Sequence, residues 1–439
     1  MKGHLLKLRD QLTDSFWFLP SAMALLAVGL ALGMVALDRE LGSDWVSGYG
    51  WVFGGGADGA RSVLSAISGS VMTVVSIVFS LTISTLAQTS SHYGPRVLRN
   101  FTSDRRVQLT LGTFIATFVY CLLVLRTVRS VQESTFVPYL AVTLGLVLAL
   151  ASMAVLIFFI HFIAQSIQAE NLIAEVGQDF ERAVPQFFPA GVGESHGHRK
   201  TLAPGHWQGA RQVDAPGSGY LQRVDDDTLL RLATDHDLQC RLEKTPGQFV
   251  SQGTPLLHVL PAEALSDELA AQLQECFLLG AHRTRHQDPL YSIQQLVEIA
   301  AHALSPGINE PFTALTCIDW LGASIRKVMR RELPASERYD EAGGLRVVAP
   351  EMTFEHLWRT AFDQVRVYGA DSPDILLALL NLMGGLAPDL RRPGEREFLE
   401  QYVEVIRADA ESQIKNAADA RRVTAQADEA LRLLRMNGP

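Results

Sequence analysis

The sequence predicts an α-helical integral membrane protein: four transmembrane helices, then a cytoplasmic α+β region made of a small β-sandwich-like module and a helical domain. Three observations lead there. Four apolar stretches, about Phe16 to Leu37, Val63 to Ala87, Val107 to Leu125 and Val137 to Ile163, come close to or exceed the roughly 20 residues that cross a bilayer. None has an acidic or basic residue in its middle. After Gln165 the chain changes to the mixed spacing of a water-soluble protein. The boundaries implied are 1–164 for the four-helix domain, 165–211 for a helical extension and linker, 212–261 for the β module and 262–439 for the helical domain.

Charge sets the sides of the membrane. Lys2, Lys7 and Arg9 precede the first span, and Arg96, Arg99, Arg105 and Arg106 fill the connection between the second and third. The first outer loop has Asp38, Glu40, Asp44 and Asp58 against Arg39 and Arg61, as the positive-inside bias requires. An even number of spans then leaves both termini in the cytoplasm of a bacterial inner membrane. The N-terminal run is too long in its apolar core for a cleaved signal peptide, and three spans follow it. Of the formal charge of −9, the part up to His161 carries +3, which leaves −12 for the rest. So acidic a soluble part excludes nucleic acid as a partner. Cys121, Cys240, Cys276 and Cys317 are too scattered for a Cys-x-x-Cys site and are expected as free thiols.

In the first span, Gly29 and Gly33 form a Gly-x-x-x-Gly pair suited to close helix approach. The second span has two faces. Ser62, Ser65, Gly69, Thr73, Ser76, Ser80 and Ser84 recur at spacings of three and four, opposite a stripe of Ile67, Val71, Val74, Val78 and Leu81. Hydroxyls in hydrocarbon need partners, so the small face packs on another helix or lines a pore. The basic segment that follows is expected to rest Arg96 and Arg99 on anionic lipid head groups, or to act as an interface. Arg126 ends the third span and either snorkels to the interface or gates a path. His161, near the end of the fourth, is a structural histidine or a proton sensor. From there one long helix is expected to run on toward Phe180.

Residues 189–207 are a Gly, His and Pro-rich linker. Short strands follow: Tyr220 to Val224, Gln239 to Glu243 and Pro255 to Leu260. Gly247-x-x-Val250-x-x-Gly253-x-x-Leu256 resembles the turn of biotinyl and lipoyl carrier domains, without a lysine for cofactor attachment. Helical spacing then marks Pro261 to Gly280, Pro289 to Leu304, Glu310 to Arg331, Thr353 to Tyr368, Ser372 to Leu386 and Gly394 to Leu434. The last is long and Ala-rich, able to pair with a copy of itself or to pack along the bundle.

The most specific soluble segment is Ala303-Leu-Ser-Pro-Gly-Ile-Asn-Glu-Pro-Phe-Thr-Ala314. Ser305 to Gly307 break one helix, and Asn309 is expected to cap the next, whose second residue would be Pro311. A helix start also attracts anions, so Ser305, Gly307, Asn309 and Thr313 form a candidate corner for a small anionic ligand or a subunit contact. His282 and His286 stand one helical turn apart near Asp288 and His302, but Arg283 and Arg285 between them disfavour a metal. The sequence contains no phosphate loop, nucleophile elbow or dinucleotide fingerprint. No cofactor, metal or catalytic residue is assigned.

Several runs, Ser76-Ile-Val-Phe-Ser-Leu-Thr82, Tyr93-Gly-Pro-Arg-Val-Leu-Arg-Asn-Phe101, Asp104-Arg-Arg106, Phe118 to Thr127 and Leu304 to Ala314, resemble the bacterial family called domain of unknown function 2254. Phe159-Ile-His161-Phe and Asp288-Pro-Leu-Tyr291 fit too, with Phe162 where a second histidine would be expected and Glu310 where aspartate is commoner. The resemblance implies an inner-membrane protein and supplies no activity. From the residues, the expected function is an oligomeric channel or transport-related protein, a homo-oligomer in the lipid bilayer. The rival is a membrane-anchored sensory or scaffolding protein that binds a ligand or partner through its soluble domain.

Overall fold

A computed structural model describes residues 17–41, 53–94, 104–131, 134–166, 168–188, 203, 205–285 and 287–436. The chain divides into two compact units, Met1–Ala169 and Glu170–Pro439. The first unit holds α1 (Phe18–Leu41), α2 (Ala57–Tyr93), α3 (Arg105–Thr127) and α4 (Tyr139–Ser166). A hairpin of β1 (Arg129–Val131) and β2 (Ser134–Phe136) joins α3 to α4. Among the described residues these are four helices long and apolar enough to cross a membrane. The 37 residues of α2 reach about 55 Å at 1.5 Å per residue, well beyond a ~30 Å hydrocarbon layer.

At the centre of the bundle is α3. Of its apolar window 56% is buried, against 22% in each of the other three. It packs on α1, α2 and α4, whereas α1 and α2 do not run along one another. Small residues make this possible. A Cβ at Gly112 would meet Met23 Sδ at 2.5 Å and the Pro20 Cα at 3.3 Å, and one at Gly145 would meet Leu64 at 3.2 Å and Cys121 at 3.5 Å. The close approach expected at Gly29 and Gly33 is not made among the described residues, where nothing outside the backbone of α1 lies within 4 Å of a Cβ built at either position. Two polar contacts cross the interior: the Thr117 and Ser152 hydroxyls lie 2.9 Å apart, and the Tyr120 hydroxyl donates to the Ala141 carbonyl at 2.9 Å.

The expected continuous helix beyond α4 is interrupted. After α4 ends at Ser166, α5 (Ala169–Phe187) begins, and the Gln168 N–H turns back to the Gln165 carbonyl at 3.3 Å. Ile173, Val176, Phe180 and Val184 line the buried face of α5.

The second unit continues with β3 (Arg211–Asp214), β4 (Gly219–Val224), α6 (Asp226–Asp235), β5 (Gln239–Leu242), β6 (Phe249–Val250), β7 (Pro255–Leu260), α7 (Asp267–Glu275) and β8 (Phe277–Gly280). Helices α8 (Tyr291–Ala303) and α9 (Pro311–Met329) follow, then β9 (Glu337–Tyr339) and β10 (Leu345–Val348). The chain ends with α10 (Phe354–Tyr368), α11 (Pro373–Leu386), α12 (Glu395–Gln413) and α13 (Ala417–Met436). Two sheets form, ordered β3-β7-β5-β10-β9 and β6-β4-β8. One apolar cluster joins Val213, Leu257 and Val259 of the first to Leu221, Val224 and Phe277 of the second, with Leu229, Leu269 and Leu273 of α6 and α7.

Two of the expected helices do not form as single helices. Pro261 to Gly280 is not one helix, because its last four residues pair with β4 as strand β8. The sheet also takes strands from beyond residue 261, with β10 parallel to β5 at Val347↔Cys240. The expected helix Gly394 to Leu434 is two helices. Ile414 is extended, and Asn416 Oδ1 accepts the Ala418 N–H at 2.9 Å, which starts a new helix. Arg407 to Asp428, at 2.5 Å, ties α13 back on α12, which removes a long helix as a self-pairing element. In the helical part α11 packs on α9, α10, α12 and α13.

Candidate functional site

The hydroxyl face of α2 points out of the bundle. Ser65, Gly69, Thr73, Ser76, Ser80 and Ser84 are all exposed, while Val71 and Val78 opposite them are buried. Thr73 Oγ1 donates to the Gly69 carbonyl at 3.0 Å and Ser76 Oγ to the Met72 carbonyl at 3.1 Å. These two hydroxyls are therefore satisfied within their own helix. No atom stands within 4 Å of a Cβ built on Gly69, so the face is open along its length there. The other exposed surfaces of the bundle differ. Leu25, Leu26, Leu30 and Leu32 face outward on α1, and Leu146, Val147, Leu150, Met153 and Ile157 on α4. Two helices thus present aliphatic side chains to their surroundings, and on the third the hydroxyls share the outward surface with Met72, Ile77, Phe79 and Ile83.

Both Arg126 and His161 are exposed at helix ends, and Arg96 and Arg99 lie outside the described residues. Next to His161, Phe162 is 6% exposed, and the Arg106 guanidinium carbon lies 4.4 Å from its ring centroid. Asp104 caps α3 by accepting the Arg106 N–H at 2.7 Å. At the opposite end of the bundle a pairing unforeseen in the sequence appears. Asp38, counted above as a loop charge, lies inside α1 and is 4% exposed. Its Oδ1 accepts the Leu140 N–H at 3.0 Å and its Oδ2 the Ala141 N–H at 2.9 Å, at the start of α4. Thr143 Oγ1 accepts the Phe53 N–H at 2.9 Å, and Arg61 Nη2 donates to the Val128 carbonyl at 3.2 Å.

In the second unit the Ser305 to Thr313 corner forms as a turn between α8 and α9, with one correction. Asn309 does not cap α9. It occupies the left-handed region at φ 51°, and the capping position belongs to Glu310, whose side chain makes no cap bond. The reason is the tight closure of the turn: the Glu310 N–H reaches the Ala303 carbonyl at 2.7 Å and that of Asn309 the Ser305 carbonyl at 2.9 Å. Ser305 Oγ donates to the His302 carbonyl at 2.6 Å and Thr313 Oγ1 to Glu310 Oε2 at 3.2 Å. Gly307, Asn309 and Glu310 are exposed, and Phe312 is 82% exposed. The corner is a projecting knob whose helix start already carries a carboxylate.

The expected helical pair His282 and His286 does not form a helix, which begins at Tyr291, and His286 lies outside the described residues. Asp288 is instead buried against Arg283, whose Nε lies 2.9 Å from Oδ2. All four cysteines are free and buried. Burial pushes the Cys240 thiol up to about 12, with Cys276 nearby adding to it, and Cys276 up to about 11. Neither is a reactive thiolate near neutral pH.

The sequence matches a known family. The model of predicted membrane proteins named DUF2254 covers residues 13–384. The chain belongs to the DUF2254 family. Two DUF2254-like relatives are an uncharacterized protein of Mycobacterium bovis and one of Mycobacterium tuberculosis. Each is 31% identical over 435 residues, which is 98% of this chain and 82% of the relative. No solved structure matches the chain. Membership in DUF2254 makes this a membrane protein, with α1 to α4 as its apolar helices.

Proposed function

We propose that this DUF2254 protein is a homo-oligomeric channel or transport-related protein of the bacterial inner membrane, assembled around the hydroxyl face of α2. The observation that supports this is the row of outward hydroxyls on α2, Ser65, Thr73, Ser76, Ser80 and Ser84, which runs beside the outward Met72, Ile77 and Phe79. Small hydroxylated positions in a row let a neighbouring subunit approach closely or a file of water pass. Four spans per chain are few for a solute carrier, so the path is shared between copies. In this reading both termini are cytoplasmic, Arg96 and Arg99 lie at anionic head groups, and no chemical step is assigned.

Flux in proteoliposomes tests it, read as conductance in KCl and as glycerol-driven swelling. Thr73→Trp and Ser76→Trp should abolish flux, while Leu150→Trp and Met153→Trp on α4 should leave it unchanged. Equal loss on both faces, or no flux in the parent protein, would sink the channel reading. One observation favours a second reading: Phe312 stands 82% exposed on the Ser305 to Thr313 corner. A membrane-anchored scaffold that docks a partner there would lose that partner with Phe312→Ser, and its function would be indifferent to Thr73→Trp.

A further inference from the structure

The second unit is joined to the bundle through the end of α4, and the last buried side chains before that exit are Phe159, Phe162 and Ile163. They share one apolar cluster with Val107, Leu111 and Phe114 of α3 and with Val71 and Val78 of α2. Val71 and Val78 back the hydroxyl face directly, about 180° around the helix from Thr73 and Ser76. Whatever moves the last turn of α4 therefore presses on the rear of that face.

Apolar contact alone lets such a turn slide, because it has no preferred direction. Phe162 is held differently. Arg106, at the start of α3, stacks its guanidinium over the ring, and Asp104 fixes the guanidinium in place. Arg106 Nε lies 3.1 Å from both Asp104 oxygens and Nη2 lies 2.8 Å from Oδ2. A fork held on its carboxylate side presents its flat face to the ring already oriented. The Arg106 side chain is 51% exposed and Phe162 is 6% exposed, so the contact closes the cluster where it meets its surroundings.

We propose that Asp104, Arg106 and Phe162 form a clamp that couples the end of α4 to α2, and so transmits displacement of the second unit to the hydroxyl face. The inference rests on the functional reading of that face and names its regulation. In operation, a pull on α4 at Ser166 draws Phe162 from under Arg106, and the cluster relaxes against Val71 and Val78. With the clamp closed, α2 holds its position.

Hydrogen exchange on the full chain in lipid nanodiscs tests this without measuring flux, with peptides covering 71–82 and 155–166. Phe162→Leu keeps the bulk and removes the ring, Arg106→Gln removes the cation, and Phe162→Tyr keeps the stacking face. The first two should each speed exchange in both segments by about fivefold, as loss of one partly exposed cation–π contact allows. The double variant should be no faster than the faster single, and Phe162→Tyr should match the parent. Additive effects in the double variant, or Phe162→Tyr behaving as Phe162→Leu, would show ordinary packing and overturn the clamp. Faster exchange in 155–166 with 71–82 unchanged would overturn the coupling. A protein that carries no flux can still pass this test, so failure of the clamp and failure of the channel reading are separable.

Discussion

Asp38 is an acidic residue in the interior of a membrane protein, and its partners are backbone N–H groups. Its two carboxylate oxygens take two of the four backbone donors that the first turn of α4 leaves open, and the partial positive charge there favours an anion. Asp38→Ala should cost about 2 kcal/mol, while Asp38→Asn, which keeps one acceptor, should cost about 1 kcal/mol. Thermal unfolding in detergent measures both, and equal losses would remove charge and capping from the explanation. Nothing near Asp38 in the sequence announces this partner, which stands more than 100 positions away, so a count of loop charges is all that local reading supplies. The Ser305 to Thr313 turn is legible to one residue: its breakers fall where the sequence places them, but the cap is not Asn309 and the helix starts one residue late, at Pro311, because the closure of the loop demands a left-handed residue at Asn309. Asn tolerates either role, and only the backbone distinguishes them.

At the level of helices and strands, the four apolar stretches were the most readable features, because the length of a membrane span leaves little choice. Glycine position was less readable. Gly29 and Gly33 have the spacing of a packing motif and touch nothing, whereas the isolated Gly112 and Gly145 carry the contacts. Gly112→Val should therefore destabilise the bundle by about 2 kcal/mol through overpacking against Pro20 and Met23. Gly29→Ala and Gly33→Ala should leave the stability of the single chain unchanged in the same unfolding assay, and a loss at either would mean an inward role. Strand β8 was hidden inside a helical pattern, since its run Phe-Leu-Leu-Gly suits either state and the pairing with β4 decides. The parallel pairing of β10 with β5 joins residues over a hundred positions apart, beyond any local signal. The break between α12 and α13 did have one, Asn416 as a helix start, masked by the Ala-rich run around it.

For the whole molecule, the change in composition after Gln165 marks the division between its two compact units at Ala169 and Glu170. A fragment of residues 170–439 carries a net charge of −12 and its own cores, so it should be soluble and unfold cooperatively by circular dichroism. Starting instead at residue 189 removes α5, whose Gly177 lies against the Trp320 ring of α9, and should lower the melting temperature and promote aggregation. If the shorter fragment were as stable as the longer, α5 would not belong to the core of that unit. The hydroxyl face of α2 bears finally on abundance. Because Thr73 and Ser76 bond to carbonyls of their own helix, a solitary copy suffers no unmet hydrogen bond at those two positions, and their contribution to the proposed association would be one of packing. In the proposed homo-oligomer, assembly would then follow mass action in two dimensions: copies per area of membrane, set by expression and by lipid supply, would decide what fraction of the protein is assembled.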